Sequence, residues 1–213
     1  ICDPEITIGL PKSLTAACGV DALTHCIEAY TVQLHQPITD ALALKGISMI
    51  AENLEKAYEN GEDREARRNM MIASTIGGMA FISSNVGAVH AFAETVGAWF
   101  DTPHGVANSL FLPYIMEFNI PACPERFADI ADAMGIEREE SMSDEQYALK
   151  AVEYVKALNR KLNIPTIKEI KGITEERFEA IAERSANNVL SNDNARKITK
   201  EDYLELLKKA YNE

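Results

Sequence analysis

Positive charge is scarce in this 213-residue chain: 21 lysines and arginines stand against 33 aspartates and glutamates, for a net charge of −12. Phosphate backbones and anionic lipid surfaces are bound by basic faces, so the balance argues against nucleic acid and membrane as partners. No apolar run approaches the roughly 18 residues that span a bilayer. Cysteine is sparse too. Cys2, Cys18, Cys26 and Cys123 include no C-x-x-C pair and do not make a disulfide framework in a chain of this length. They read as reduced thiols, Cys18 and Cys26 as small apolar helix residues, and a cytoplasmic compartment is expected. The N-terminus lacks the basic start and apolar core of a signal peptide. It also lacks an initiator Met, and the chain is read as processed or as a piece of something longer. G-x-G-x-x-G, Walker, G-x-S-x-G and H-E-x-x-H motifs are all missing, so neither a nucleotide loop nor a zincin site is legible. Strand signals, repeats and flexible linkers are missing as well.

What is present is helical. Apolar residues make up 46% of the chain, enough for a core without staples. Ala43, Ile47, Ile50, Leu54 and Ala57 recur at spacings of three and four and line one helix face, with Pro37 near its start and Gly61 just past its end. Tyr147, Ala151, Tyr154, Leu158 and Leu162 repeat the pattern behind a Ser143–Gln146 capping box. Tyr203, Leu206, Leu207, Ala210 and Tyr211 do so behind Thr199 and Asp202, and Thr174 opens another helix with Glu175 and Glu176 at its positive end. These patterns predict an all-α multi-helix bundle of about nine helices, at 15–34, 38–59, 63–80, 85–98, 103–118, 124–134, 144–163, 174–187 and 200–212, in one domain over 1–213. Pro113 should kink or break the fifth. Residues 1–11 are expected to be extended at best, and 164–166 and 191–194 to be loops. Gly77-Gly78 reads as a close-packing site.

Only four histidines occur: His25, His35, His90 and His104. Asp21 and His25, four apart on a helix, leave the same face one turn apart, a spacing at which two ligands reach one ion. A surface hydrogen bond is the plainer reading, but the helix is largely apolar, and a buried charge needs a partner or a metal. His90 lies among small residues. His104 follows Thr102-Pro103, read as an N-cap and a first-turn Pro, where the positive helix end favours the neutral imidazole a metal requires. Three imidazoles and one carboxylate form an N3O set suited to Fe(II) or Zn(II). His35 reads as an inter-helix loop residue without a role.

At these residues the chain resembles the iron-containing (group III) alcohol dehydrogenase family. Gly19-Val20-Asp21-Ala22-Leu23-Thr24-His25-Cys26-Ile27-Glu28-Ala29-Tyr30, Gly87-Ala88-Val89-His90-Ala91 and Asp101-Thr102-Pro103-His104-Gly105-Val106-Ala107-Asn108 carry the likeness. Leu10-Pro11-Lys12-Ser13-Leu14-Thr15-Ala16-Ala17 and Leu112-Pro113-Tyr114-Ile115-Met116-Glu117-Phe118-Asn119 extend it. The resemblance implies the dehydroquinate synthase-like, helical C-terminal domain of a two-domain enzyme. An N-terminal nucleotide-binding domain, absent from this chain, would supply NAD or NADP, and the whole protein would be a homo-oligomer. It implies Asp21, His25, His90 and His104 as ligands of a divalent metal, iron first and zinc second, and Leu14 and Phe81 beside the nicotinamide. The implied reaction is reversible hydride transfer between a small-molecule alcohol and its aldehyde or ketone, with this chain by itself inactive. A glycerol dehydrogenase or dehydroquinate synthase-like enzyme would share the architecture. Many family members carry a second His four residues after His90; here that position is Glu94, expected near His90 or the substrate as a proton-handling, catalytic group.

Overall fold

A computed structural model describes residues 1–213 and contains nine α-helices and no strand. They are α1 (Lys12–Thr31), α2 (Pro37–Glu59), α3 (Arg64–Ser84), α4 (Ala88–Phe100), α5 (His104–Asn119), α6 (Pro124–Ala133), α7 (Asp144–Lys161), α8 (Phe178–Ala186) and α9 (Lys200–Asn212). Helix α1 is buried along most of its length and packs against α2, α3 and α5, while α4 lies between α5 and α8. Ala43, Ile47, Ile50, Leu54 and Ala57 are all buried on α2, so the apolar stripe read from the sequence is the face that meets the core. Both capping boxes form: Gln146 N–H donates to Ser143 Oγ and Asp202 N–H to Thr199 Oγ1, each 3.2 Å.

Several expectations need correction. Of the kink or break expected at Pro113, the break does not occur: α5 continues to Asn119. A proline leaves the carbonyl four residues earlier without its ladder donor; here that carbonyl, Ser109 O, accepts from Asn159 Nδ2 of α7 at 2.7 Å. The predicted 174–187 helix is split into a 3-10 turn, Glu175–Arg177, and α8. The opening segment is not extended but forms a 3-10 turn, Pro4–Thr7, capped by Asp3, and Val189–Asp193 is a 3-10 turn rather than plain loop. Cys18 is exposed, whereas Cys26 is buried as expected. Of the glycine pair, Gly77 packs against Cys26 of α1, but Gly78 faces open space.

Helix α3 ends at Asn85, whose φ of 73° is tolerated by asparagine. The chain then turns through 105° into α4. Asn85 Nδ2 holds Asp193 Oδ2 at 2.6 Å, tying this bend to the 189–193 turn. The bend brings the first turn of α4, which carries His90, beside His25 and Glu28 in the second half of α1. No single helix is long and apolar enough to cross a membrane.

Candidate metal centre

Three helices bring the ligand candidates together. Helix α1 presents Asp21 and His25 one turn apart, α4 presents His90 in its first turn, and α5 begins at His104. Gly105 has no side chain to hold α5 away, so α5 rests on the α1 backbone at Ala17. One ligand atom from each of Asp21, His25, His90 and His104 lies within 4.8 Å of the other three. His25 Nε2 and His90 Nε2 are 3.1 Å apart, and His104 Nε2 is 3.5 Å from Asp21 Oδ1. Donors about 2.1 Å from one centre stand about 3.4 Å apart at the corners of a tetrahedron, so the spacing matches a shared cation. His35 lies elsewhere, 3.7 Å from Asp40.

The donor chemistry points the same way. Asn108 Nδ2 approaches Asp21 Oδ1 at 2.6 Å, His104 Nε2 at 3.1 Å and His90 Nε2 at 3.2 Å. Three acceptors thus converge on an amide that has only two N–H donors. Asn108 is itself fully buried, and its Oδ1 has no partner. A hollow ringed by acceptors and short of donors is completed by a positive charge, and this set fits a divalent cation.

The site grades from buried to open. His90 is 4% exposed, whereas the side chains of His25 and Asp21 are 19% and 21% exposed and that of His104 is 51% exposed. Asp21 and His25 are therefore half-buried rather than sealed. Burial, then the neighbouring His90, lower the pKa of His25. Burial also opposes charge on His90, but its hydrogen bond to Glu28 and the Glu28 charge outweigh that and raise its pKa. Thr102 does not cap α5: its Oγ1 is buried without a partner, and Pro103 occupies the cap position.

Phe81 stacks on His25 with ring centroids 4.5 Å apart, forming an apolar wall beside the ligands. Leu14 sits in the first turn of α1 and is 44% exposed. Glu94 makes no hydrogen bond to His90; it is exposed, and its Oε2 accepts from Asn188 Nδ2 at 2.7 Å. Its apolar neighbours on α4, Phe92, Ala93 and Val96, face the core, and Glu94 does not. Two residues at the site carry no role in the sequence reading: Asn108 and Glu28. Asn108 stands four residues after His104, the helical spacing that could have flagged it. Glu28 stands three residues after His25, but its bonded partners, Val89 and His90, lie on another helix and leave no mark in the local spacing.

A sequence profile of the Fe-containing alcohol dehydrogenase family, C-terminal, matches residues 15–211. This chain belongs to that family. It is 43% identical over 212 residues to alcohol dehydrogenase 4 of Saccharomyces cerevisiae (strain YJM789), covering 98% of this chain and 53% of that protein. It is 38% identical over 215 residues to an NADPH-dependent butanol dehydrogenase of Clostridium saccharobutylicum, covering 99% of this chain and 54% of the relative. A crystal structure of a 1,3-propanediol oxidoreductase superposes with a TM-score of 0.94 at 40% identity, over 98% of this chain and 54% of that one. The chain thus spans about half the length of the relatives it matches.

Proposed function

We propose that this chain is the metal-holding half of an NAD(P)-linked alcohol dehydrogenase that interconverts a small alcohol and its aldehyde or ketone. The observation that carries the reading is the convergence of the Asp21, His25, His90 and His104 ligand atoms within 4.8 Å. These four residues would hold a divalent cation, iron first by family and zinc by ligand type. Bound there, the cation supplies Lewis acidity to the oxygen of an alcohol or carbonyl.

The chain's own residues do the rest. Asp21 brings one negative charge and the imidazoles, when neutral, bring none, so the loaded site keeps a net positive charge. Phe81 holds the His25 ring by stacking and keeps that wall apolar, which suits hydride transfer beside it. Leu14, exposed two turns before Asp21 on α1, provides further apolar lining for a nicotinamide. Glu94, one turn beyond His90, is exposed and held by Asn188, so it stays outside the proton path of this reading. No Gly-rich phosphate loop occurs in these residues, so NAD or NADP would be held by an N-terminal domain of the same protein. The four free thiols suit a cytoplasmic setting, and a homo-oligomeric whole protein belongs to the same reading.

Two measurements test it. Titration of the chain with Co(II) should show one high-affinity site that His90→Ala weakens to a low-affinity, three-ligand site, and a chain that binds none refutes the metal assignment. A coupled NAD(P)H assay on the two-domain protein should show alcohol oxidation, and the 213-residue chain by itself should show none.

A further inference from the structure

Gly87 stands at the N-cap of α4 and has no side chain with which to cap it, so the first free N–H groups of the helix take acceptors from elsewhere. Ala88 N–H reaches Asn194 Oδ1 at 3.4 Å, and Val89 N–H reaches Glu28 Oε1 at 2.8 Å. The second oxygen of Glu28 stands 2.5 Å from His90 Nδ1. Glu28 is 3% exposed and forms no ion pair with any lysine or arginine; His90 is its one ionisable partner. A Cβ at Gly87 would sit 3.2 Å from Glu28 Oε1, so glycine there leaves the carboxylate room to approach.

We infer that Glu28 is the positioning residue of the metal centre: its two oxygens hold the backbone of α4 and the Nδ1–H of His90 together, and so present His90 Nε2 as a bare acceptor to the ligand hollow. This rests on the metal reading proposed above. A neutral imidazole carries one N–H, and a carboxylate only accepts, so the contact places that hydrogen on Nδ1. Nε2 is then left with its lone pair facing His25 Nε2 at 3.1 Å, on the side where Asp21 and His104 also converge. Oriented carboxylate–histidine pairs of this kind set both tautomer and ring angle at metal sites. Glutamine cannot replace glutamate here. Val89 N–H and His90 Nδ1 meet different oxygens of Glu28, and glutamine would put an NH2, which only donates, in place of one of them.

Nitrogen-15 NMR of the wild-type chain without metal, at a pH where His90 is neutral, should find the His90 hydrogen on Nδ1. A hydrogen on Nε2 overturns the inference whatever any variant does. Glu28→Gln should move His90 toward the Nε2–H tautomer and weaken Co(II) binding by about 10- to 100-fold. In a His90→Ala background, tested at Co(II) concentrations high enough to load the remaining three ligands, the same change should leave Co(II) affinity unaltered. An equal loss in both backgrounds shows that Glu28 serves the fold alone and overturns the positioning role. If Glu28→Gln fails to fold, the wild-type tautomer still decides. If the wild-type chain takes up no Co(II), the metal reading falls by itself, while the tautomer still supports or overturns the hold of Glu28 on His90.

Discussion

Replacing Gly46 with alanine should destabilise the chain, whereas the same replacement at Gly78 should stabilise it. Both glycines lie inside helices, Gly46 in α2 and Gly78 in α3, so both replacements gain about 1 kcal/mol of helix propensity. They differ in what the new methyl meets. At Gly78 nothing lies within 4 Å. At Gly46 the methyl would stand 2.5 Å from Cys26 Sγ and 3.6 Å from Ile76 Cγ2. Favourable heavy-atom contacts lie near 3.5–4.0 Å, so the overlap with sulfur is about 1 Å. Cys26 is fully buried and cannot swing aside freely, because a Cβ at Gly77 would already be 3.1 Å from the same sulfur. Helices α2 and α3 both close on it. Overpacking of this kind costs about 1–3 kcal/mol, and the lack of escape puts it near the upper end. Net of propensity, Gly46→Ala should cost about 2 kcal/mol, a fall in Tm of about 4–8 °C at this chain length, and Gly78→Ala should raise Tm by about 2–4 °C. Thermal melts by circular dichroism and urea midpoints measure both. In a Cys26→Ala background the Gly46→Ala penalty should largely vanish. Gly46→Ala melting at or above wild type, or an undiminished penalty without the sulfur, would refute the argument. His25 adjoins Cys26, so the displacement should also weaken Co(II) binding.

Asn159→Leu should cost about 1–3 kcal/mol, because it strips the buried Ser109 carbonyl of its donor; with Pro113→Ala in place the backbone ladder supplies an N–H, and urea unfolding should show a smaller loss. Burial, then the hydrogen bond to Asp132, push the Tyr147 hydroxyl up to about 12. Its folded value lies above the unfolded one near 10, so its contribution is complete below about pH 10 and is lost as pH climbs toward 12. Tyr147→Phe should therefore be less stable than wild type at neutral pH, and urea midpoints taken through that window should show the gap closing; a constant gap contradicts the assignment. In the two-domain protein, Glu94→Gln should leave kcat and metal content near wild type, because Glu94 is exposed and bonded to Asn188 rather than His90; a fall in kcat of about 10²-fold or more would restore a proton role.

The four residues that converge, Asp21, His25, His90 and His104, and most helices were legible in the residues themselves. A stripe such as Ala43, Ile47, Ile50, Leu54 and Ala57 states which face is buried, because helix geometry repeats every 3.6 residues whatever the helix packs against. Capping boxes are equally local, so Ser143 with Gln146 and Thr199 with Asp202 formed as read. Asp21 and His25 declared a common face by their spacing, and the longer motifs tied His90 and His104 to them. What spacing could not supply was every contact made between distant segments. Pro113 reads as a break until Asn159, 50 residues later, takes up the freed carbonyl. Glu94, one turn beyond His90, reads as its neighbour until α4 is docked and the carboxylate turns to Asn188 instead. Glu28 looks like an ordinary helix glutamate until the 105° bend after α3 lays α4 across α1 and brings His90, 62 residues away, onto its carboxylate. Periodicity reports which side of a helix is apolar; which polar group finds which partner follows only once the helices are packed, because a hydrogen bond needs both ends in place.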